Sequence, residues 1–201
     1  MRVAVLASGE GTNLQALLDR VHGRDGIAVV AVASDRAAAR ALERARSASV
    51  PTSVFELTQY GDRAARDRAM AGWLAEQDAE LIVLAGYMQL LSPEFLRTFG
   101  GRVVNVHPAL LPAFPGLRAV EQALEYGVKI FGVTVHFVDE GIDTGPVILQ
   151  RAVELDARRA EEVMERLQPI EHALLPEAVR LLASGAVRID ERNPRRVVIE
   201  R

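Results

Sequence analysis

Cysteine is absent from this 201-residue chain, which excludes disulfides, thiolate catalysis and cysteine-ligated metals together. Lysine is nearly absent: of 24 basic residues only Lys129 is one, so Schiff-base chemistry or a P-loop lysine would rest on a single side chain. No apolar run reaches the roughly 18 residues that a membrane span needs, and the opening stretch of residues 1–8 meets charged residues too early to read as a signal peptide. A formal charge of -3 offers no bulk attraction for nucleic acid or anionic lipid. The expected protein is cytoplasmic, with neither a nucleic-acid nor a membrane partner.

What is present is the composition of an ordinary globular domain, 49% hydrophobic and 25% charged, so a disordered charged tail is excluded. A chain of this length is near the upper end of what one core organises, and a single domain is expected over residues 1–201. Short β-branched runs predict strands over 2–7, 27–34, 52–56, 81–85 and 103–107. Between them, apolar residues at helical spacing predict helices over 13–21, 37–48, 62–77 and 93–99. Such alternation is the signature of a doubly wound, mostly parallel α/β sheet. After His107 the texture changes: Pro108, Pro112 and Pro115 predict a long, stiff, ordered loop. Two further strands over 130–138 and 146–153 flank a loop at 139–145, and 160–183 reads as a long final amphipathic helix. Residues 187–201 can pair as a small hairpin around Asn193-Pro194. Phe55, Trp73 and Phe95 read as core, and His22 and His172 as helix residues without chemistry.

Ser8-Gly9-Glu10-Gly11-Thr12-Asn13 lies between the first strand and the first helix, where free backbone N–H groups and the helix dipole favour an anion such as phosphate. A dinucleotide fingerprint wants a third glycine at position 14, which is Leu14. Asp35, 24 residues after Gly11, keeps a nicotinamide reading open, and a tight turn with Asn13 as helix cap is the plainer alternative.

Asn105 and His107 end a strand and, by alternation, share a face; the carboxyl ends of parallel strands are where open α/β sheets place their sites. Asp143 lies in the loop Asp139-Glu140-Gly141-Ile142-Asp143-Thr144-Gly145, whose glycines can bend a carboxylate back toward the sheet. An amide donor, an imidazole acid and a carboxylate partner form a set that can stabilise an oxyanion and move a proton. A hydrogen-bonded structural histidine and a self-capping aspartate remain the alternative. His136, mid-strand, suits either a supporting role or a satisfied interior position.

The segments Ser8-Gly9-x-Gly11-Thr12-Asn13-Leu14-Gln15, Ala85-Gly86-Tyr87-Met88, Asn105-Val106-His107-Pro108-Ala109-Leu110-Leu111-Pro112 and Gly132 to Val138 through Asp143-Thr144-Gly145-Pro146 closely resemble, in order and spacing, the phosphoribosylglycinamide formyltransferases of de novo purine synthesis. The resemblance spans essentially the whole chain. It implies a Rossmann-like formyltransferase fold with a C-terminal strand pair and long helix, a phosphoribosyl-binding half over 1–100, and a folate-binding and catalytic half over 101–201. It implies transfer of a formyl group from 10-formyltetrahydrofolate, as co-substrate, to the amine of glycinamide ribonucleotide, with no metal, by a monomer or a homodimer. Residue by residue it implies Asn105, His107 and Asp143 as catalytic, and Gly11, Thr12, Asn13 and Glu171 as ribonucleotide-binding. Folate falls to Arg63, Met88, Gln89, Leu90, Leu91, Asn105, Asp139, Glu140, Gly141, Ile142 and Asp143. Without it, Glu171 is an exposed helix carboxylate and Arg63 a surface arginine.

The chain departs from the family at Gln89, where many relatives carry arginine, at Ala109 for a frequent serine, and at Pro169 beside Glu171. A formyltetrahydrofolate hydrolase uses the same trio, but such proteins usually carry an extra amino-terminal domain, whereas this chain begins at its first strand. A methionyl-tRNA formyltransferase needs a further basic domain. A non-catalytic nucleotide-binding module would need the glycine loop alone.

Overall fold

The computed structural model describes residues 1–200 and divides into two compact units, residues 1–104 and residues from 105 on. The first holds β1 (Arg2–Leu6), α1 (Thr12–Arg20), β2 (Ala28–Ser34), α2 (Arg40–Ser47), β3 (Thr52–Val54), a 3-10 turn (Leu57–Gln59), α3 (Arg63–Glu76), β4 (Leu81–Leu84) and α4 (Pro93–Phe99). β5 (Val103–His107) straddles the boundary. The second unit holds α5 (Ala119–Tyr126), β6 (Ile130–Phe137), β7 (Val147–Glu154), α6 (Ala160–Ala183), β8 (Val187–Asp190) and β9 (Asn193–Ile199). Seven strands form one sheet in the order β3-β2-β1-β4-β5-β6-β7.

In the first unit, β1 pairs in parallel with both β2 and β4, and β2 with β3. Strands covered on both faces must be apolar throughout, and Val3 to Leu6 and Leu81 to Leu84 are accordingly buried at every position. The chain winds outward from β1 through β2 to β3, then returns to β4 on the other side of β1. That reversal is the switch point at which open α/β sheets bind ligands, beyond the carboxyl ends of the strands. Side-chain caps set two helix starts there: Asp62 Oδ1 accepts from Ala65 N–H at 2.7 Å before α3, and Ser92 Oγ from Phe95 N–H at 3.3 Å before α4, with Pro93 at its first position.

In the second unit, β6 and β7 are antiparallel and α6 packs on both. Thr134 of β6 fastens the proline-rich segment to the sheet: its hydroxyl donates to the Ala109 carbonyl at 2.7 Å and accepts from Leu111 N–H at 3.1 Å. Gly132 is needed beside it, because a β-carbon there would meet the Leu110 side chain and the Arg151 carbonyl.

Several expectations are corrected. The segment after His107 is not all loop, since residues 119–126 form α5 once the prolines and Gly116 have passed. The final hairpin turns at Glu191-Arg192, before Asn193-Pro194, because Asp190 Oδ1 closes the turn on Arg192 N–H at 2.9 Å. Pro194 lies within β9, where a two-stranded sheet tolerates a missing donor. His22 lies in a turn past α1, and its Nδ1 accepts from Val29 N–H at 3.0 Å. Phe55 and Phe95 are core, whereas Trp73 is half-buried against Phe55, ring centroids 5.9 Å apart. No helix among the described residues is long and apolar enough to cross a membrane.

Candidate active site

The turn from β1 into α1 is built on Ser8 and Gly11. Ser8 is buried; its N–H donates to the Gly86 carbonyl at 3.0 Å and its hydroxyl accepts from Met88 N–H at 2.9 Å. Gly11, at φ 72°, is the N-cap of α1, and a β-carbon there would lie 2.7 Å from the Ala41 Cα of α2. Glycine is therefore required for backbone conformation and packing alike. Gly9 is unconstrained, with nothing within 4 Å of an added β-carbon. Asn13 is buried inside the first turn of α1 and is not its cap, a correction to that alternative. With Thr12 and Asn13 in the first turn, a helix N-terminus opens at the sheet's switch point, where an anion is favoured.

Residues 86–92 follow β4 without regular structure, so their backbone groups need side-chain partners. Ser8 serves Met88 N–H. Asp67 Oδ2 accepts from Ser92 N–H at 2.6 Å, and Arg66 Nη2 donates to the Leu90 carbonyl at 3.2 Å. Met88 and Leu90 are left more than half exposed. The Gln89 side chain bridges Asp35 and Arg66: its Nε2 donates to Asp35 Oδ2 at 3.0 Å and its Oε1 accepts from Arg66 Nη1 at 3.4 Å. An arginine at position 89 would set two guanidinium cations side by side in this chain. Asp35 is 5% exposed, with its Oδ2 engaged by Gln89 and its Oδ1 buried without a hydrogen-bond partner. Asp35, Glu56, Thr58 and Gln89 line a cavity of about 400 Å³. Arg63 stands exposed at the first position of α3.

In the second unit Asn105, His107 and Asp143 converge. Asn105 Nδ2 donates to Asp143 Oδ1 at 3.2 Å, and His107 Nδ1 lies 3.4 Å from Asp143 Oδ2. His107 Nε2 is 2.8 Å from the Phe114 carbonyl, an acceptor only, so that nitrogen carries a proton. Protonation at Nδ1 then places the added proton between imidazole and carboxylate. His136 belongs to the cluster. Its Nδ1 donates to the Phe137 carbonyl at 2.8 Å; Nε2 accepts from Asn105 Nδ2 at 3.3 Å when the ring is neutral and, when it is protonated, faces Asp143 Oδ1 at 3.4 Å as a donor. Gly116 N–H completes the shell on Asp143 Oδ2 at 2.8 Å. Burial alone would push the Asp143 pKa up. Hydrogen bonds from His136 and Gly116 N–H, with the charges of His107 and His136, outweigh it and hold the carboxyl at about 2, against an ordinary 3.8.

The loop of Asp139 to Asp143 is shaped by its ends. Asp139 Oδ1 accepts from Gly141 N–H at 3.1 Å and from the Thr144 hydroxyl at 2.6 Å. Gly145 admits the close Phe137 carbonyl, and Asp143 itself takes the left-handed conformation at φ 52°. Glu140 is exposed and Ile142 is 53% exposed. Glu171 is 6% exposed in α6, not the exposed carboxylate of the plainer reading, and Pro169 lies within that helix without ending it. No group of three or more His, Asp or Glu side chains placed to hold a metal ion occurs among the described residues.

Sequence reasoning missed the backbone partners Phe114 and Gly116, which no side-chain pattern announces, and the buried pair Arg66 and Asp67. It left His136 open; the cue was a histidine within the apolar strand Gly132 to Phe137.

The formyl transferase family model matches residues 1–179. The chain is 47% identical over 189 residues to the phosphoribosylglycinamide formyltransferase of Mycobacterium tuberculosis, covering 94% of this chain and 87% of that protein. It is 45% identical over 192 residues to the trifunctional purine biosynthetic protein adenosine-3 of Bos taurus, of which it spans 19% of the length. The crystal structure of glycinamide ribonucleotide transformylase 1 from Symbiobacterium toebii superposes with a TM-score of 0.95 at 48% identity, covering 100% of this chain and 94% of that one. The chain belongs to the formyl transferase family, among the phosphoribosylglycinamide formyltransferases.

Proposed function

We propose that Asn105, His107 and Asp143 carry the reaction of this enzyme, the transfer of the formyl group of 10-formyltetrahydrofolate to the amine of N1-(5-phospho-D-ribosyl)glycinamide, which yields formylglycinamide ribonucleotide and tetrahydrofolate in purine biosynthesis. The observation that carries this assignment is the single carboxylate of Asp143 shared by Asn105, His107, His136 and Gly116 N–H. The amine attacks the formyl carbon and a tetrahedral oxyanion forms. Asn105 turns one of its N–H groups to that oxyanion, and protonated His107, its two N–H groups held by the Phe114 carbonyl and Asp143, supplies a positive charge beside it. Asp143, ionised over the whole working pH range, holds the imidazolium. Collapse breaks the bond from carbon to N10, with the proton lost by the amine delivered to N10.

The ribonucleotide phosphate is assigned to Gly11, Thr12 and Asn13 and the ribose to Glu171. The folate is assigned to Arg63, to residues 88–91 and to residues 139–143. Both substrates are small molecules, handled in the cytoplasm by a single formyltransferase domain, as a monomer or a homodimer. Tetrahydrofolate formation measured with and without the glycinamide ribonucleotide tests the reading. Dependence on the amine supports transfer; equal turnover without it would show hydrolysis and overturn the assignment.

A further inference from the structure

The buried pair on α3 has no place in the chemistry above. Arg66 and Asp67 are both wholly buried, with Arg66 Nε and Nη2 at 2.9 and 2.7 Å from Asp67 Oδ1. A buried ion pair is a poor source of stability, because removing two charges from water offsets most of their attraction. What this pair does is specific: each member turns its remaining capacity to the segment after β4. Asp67 Oδ2 takes Ser92 N–H at 2.6 Å, and Arg66 reaches the Leu90 carbonyl at 3.2 Å and Gln89 Oε1 at 3.4 Å. Gln89 is held from its other end by Asp35 at 3.0 Å. No regular structure fixes residues 89–92, and beyond the bond of Ser8 to Met88 N–H that stretch is held from behind by one planar guanidinium and one carboxylate.

We infer that Arg66 is a positioning residue for the formyl donor. It holds the backbone of residues 89–92 in the shape that presents the exposed side chains of Met88 and Leu90 to the folate. The inference rests on the assignment of residues 88–91 to folate binding. Lysine cannot replace Arg66 in this role, because a single ammonium cannot span Asp67, Leu90 and Gln89 at once.

The test is steady-state kinetics on Arg66→Lys, which keeps a cation against Asp67 so that the variant folds, with circular dichroism as the check. The KM for 10-formyltetrahydrofolate rises about tenfold, the effect of one lost charge-assisted hydrogen bond, while the KM for the ribonucleotide and kcat at saturating donor stay within twofold. An unchanged donor KM in the folded variant overturns the inference, as does an equal rise in both KM values, which marks a general loosening of the unit. Leu90→Ala, at an exposed position, separates this inference from the assignment beneath it. If Leu90→Ala weakens donor binding and Arg66→Lys does not, the positioning role alone fails. If Leu90→Ala has no effect, residues 88–91 do not bind folate and both fall. Should Arg66→Lys not fold, the double variant Arg66→Met with Asp67→Leu removes both buried charges together, and the same selective rise in donor KM is expected. Its absence overturns the inference.

Discussion

The Ser8 hydroxyl accepts the backbone N–H of Met88 at 2.9 Å, so the glycine turn before α1 and the segment after β4 are tied by one bond between residues 80 positions apart. Ser8→Ala leaves that N–H without its partner and costs about 1 kcal/mol. Because Ser8 adjoins the ribonucleotide loop and Met88 opens the folate segment, KM rises for both substrates. Steady-state kinetics decides the matter: wild-type KM values in a measurably destabilised variant would assign the bond to folding alone.

Asn105→Ala removes one oxyanion donor together with the partner of His136 and Asp143. The expected loss is about 10²- to 10³-fold in kcat, with the fold retained. Near-wild-type kcat in a variant of native circular dichroism would remove Asn105 from the mechanism.

The two glycines of the first turn should behave differently. Gly11→Val strains a left-handed residue and drives a side chain into Ala41, so it destabilises the protein and cannot report on phosphate binding. Gly9→Val meets nothing in the protein. Its expected effect is a higher KM for the ribonucleotide, an unchanged donor KM and an unchanged melting temperature. A rise in both KM values would show the loop to be structural.

Asp143 sets a pH dependence whose sign follows from its lowered pKa. A carboxyl at about 2 when folded and 3.8 when unfolded contributes stability that is fully present well above pH 3.8 and is lost as the pH falls toward 2. The contribution is about 2 kcal/mol. Asp143→Asn lacks it, so urea midpoints should separate wild type from variant at pH 7 and converge near pH 2. A constant gap across that range would show that the carboxylate's charge is not what stabilises the fold.

Much of this architecture was written in local patterns. Residues 103–107 and 93–99 match β5 and α4 to the residue, because a buried strand and a serine-capped helix with proline at its first position are signalled by neighbours in the chain. The spacing of Asn105 and His107 on one strand face is likewise local. The Asn193-Pro194 pair points to a turn two residues late, because the bond that closes the hairpin runs from Arg192 N–H to the Asp190 side chain.

Chain chemistry by itself determined the strands of the sheet, the glycine turn and the shared strand face of Asn105 and His107, because strand alternation, helix capping and turn formation act over a few residues. Tertiary structure alone decided that His136 joins that trio, that Gly116 N–H and the Phe114 carbonyl complete it, and that Arg66 and Asp67 go inside. Each of these joins residues 7 to 31 positions apart or turns on whether a charged helix residue finds partners away from water. A charged side chain reads as solvated until the groups that neutralise it are known, and for Arg66 those groups include a carbonyl on a segment 24 residues away.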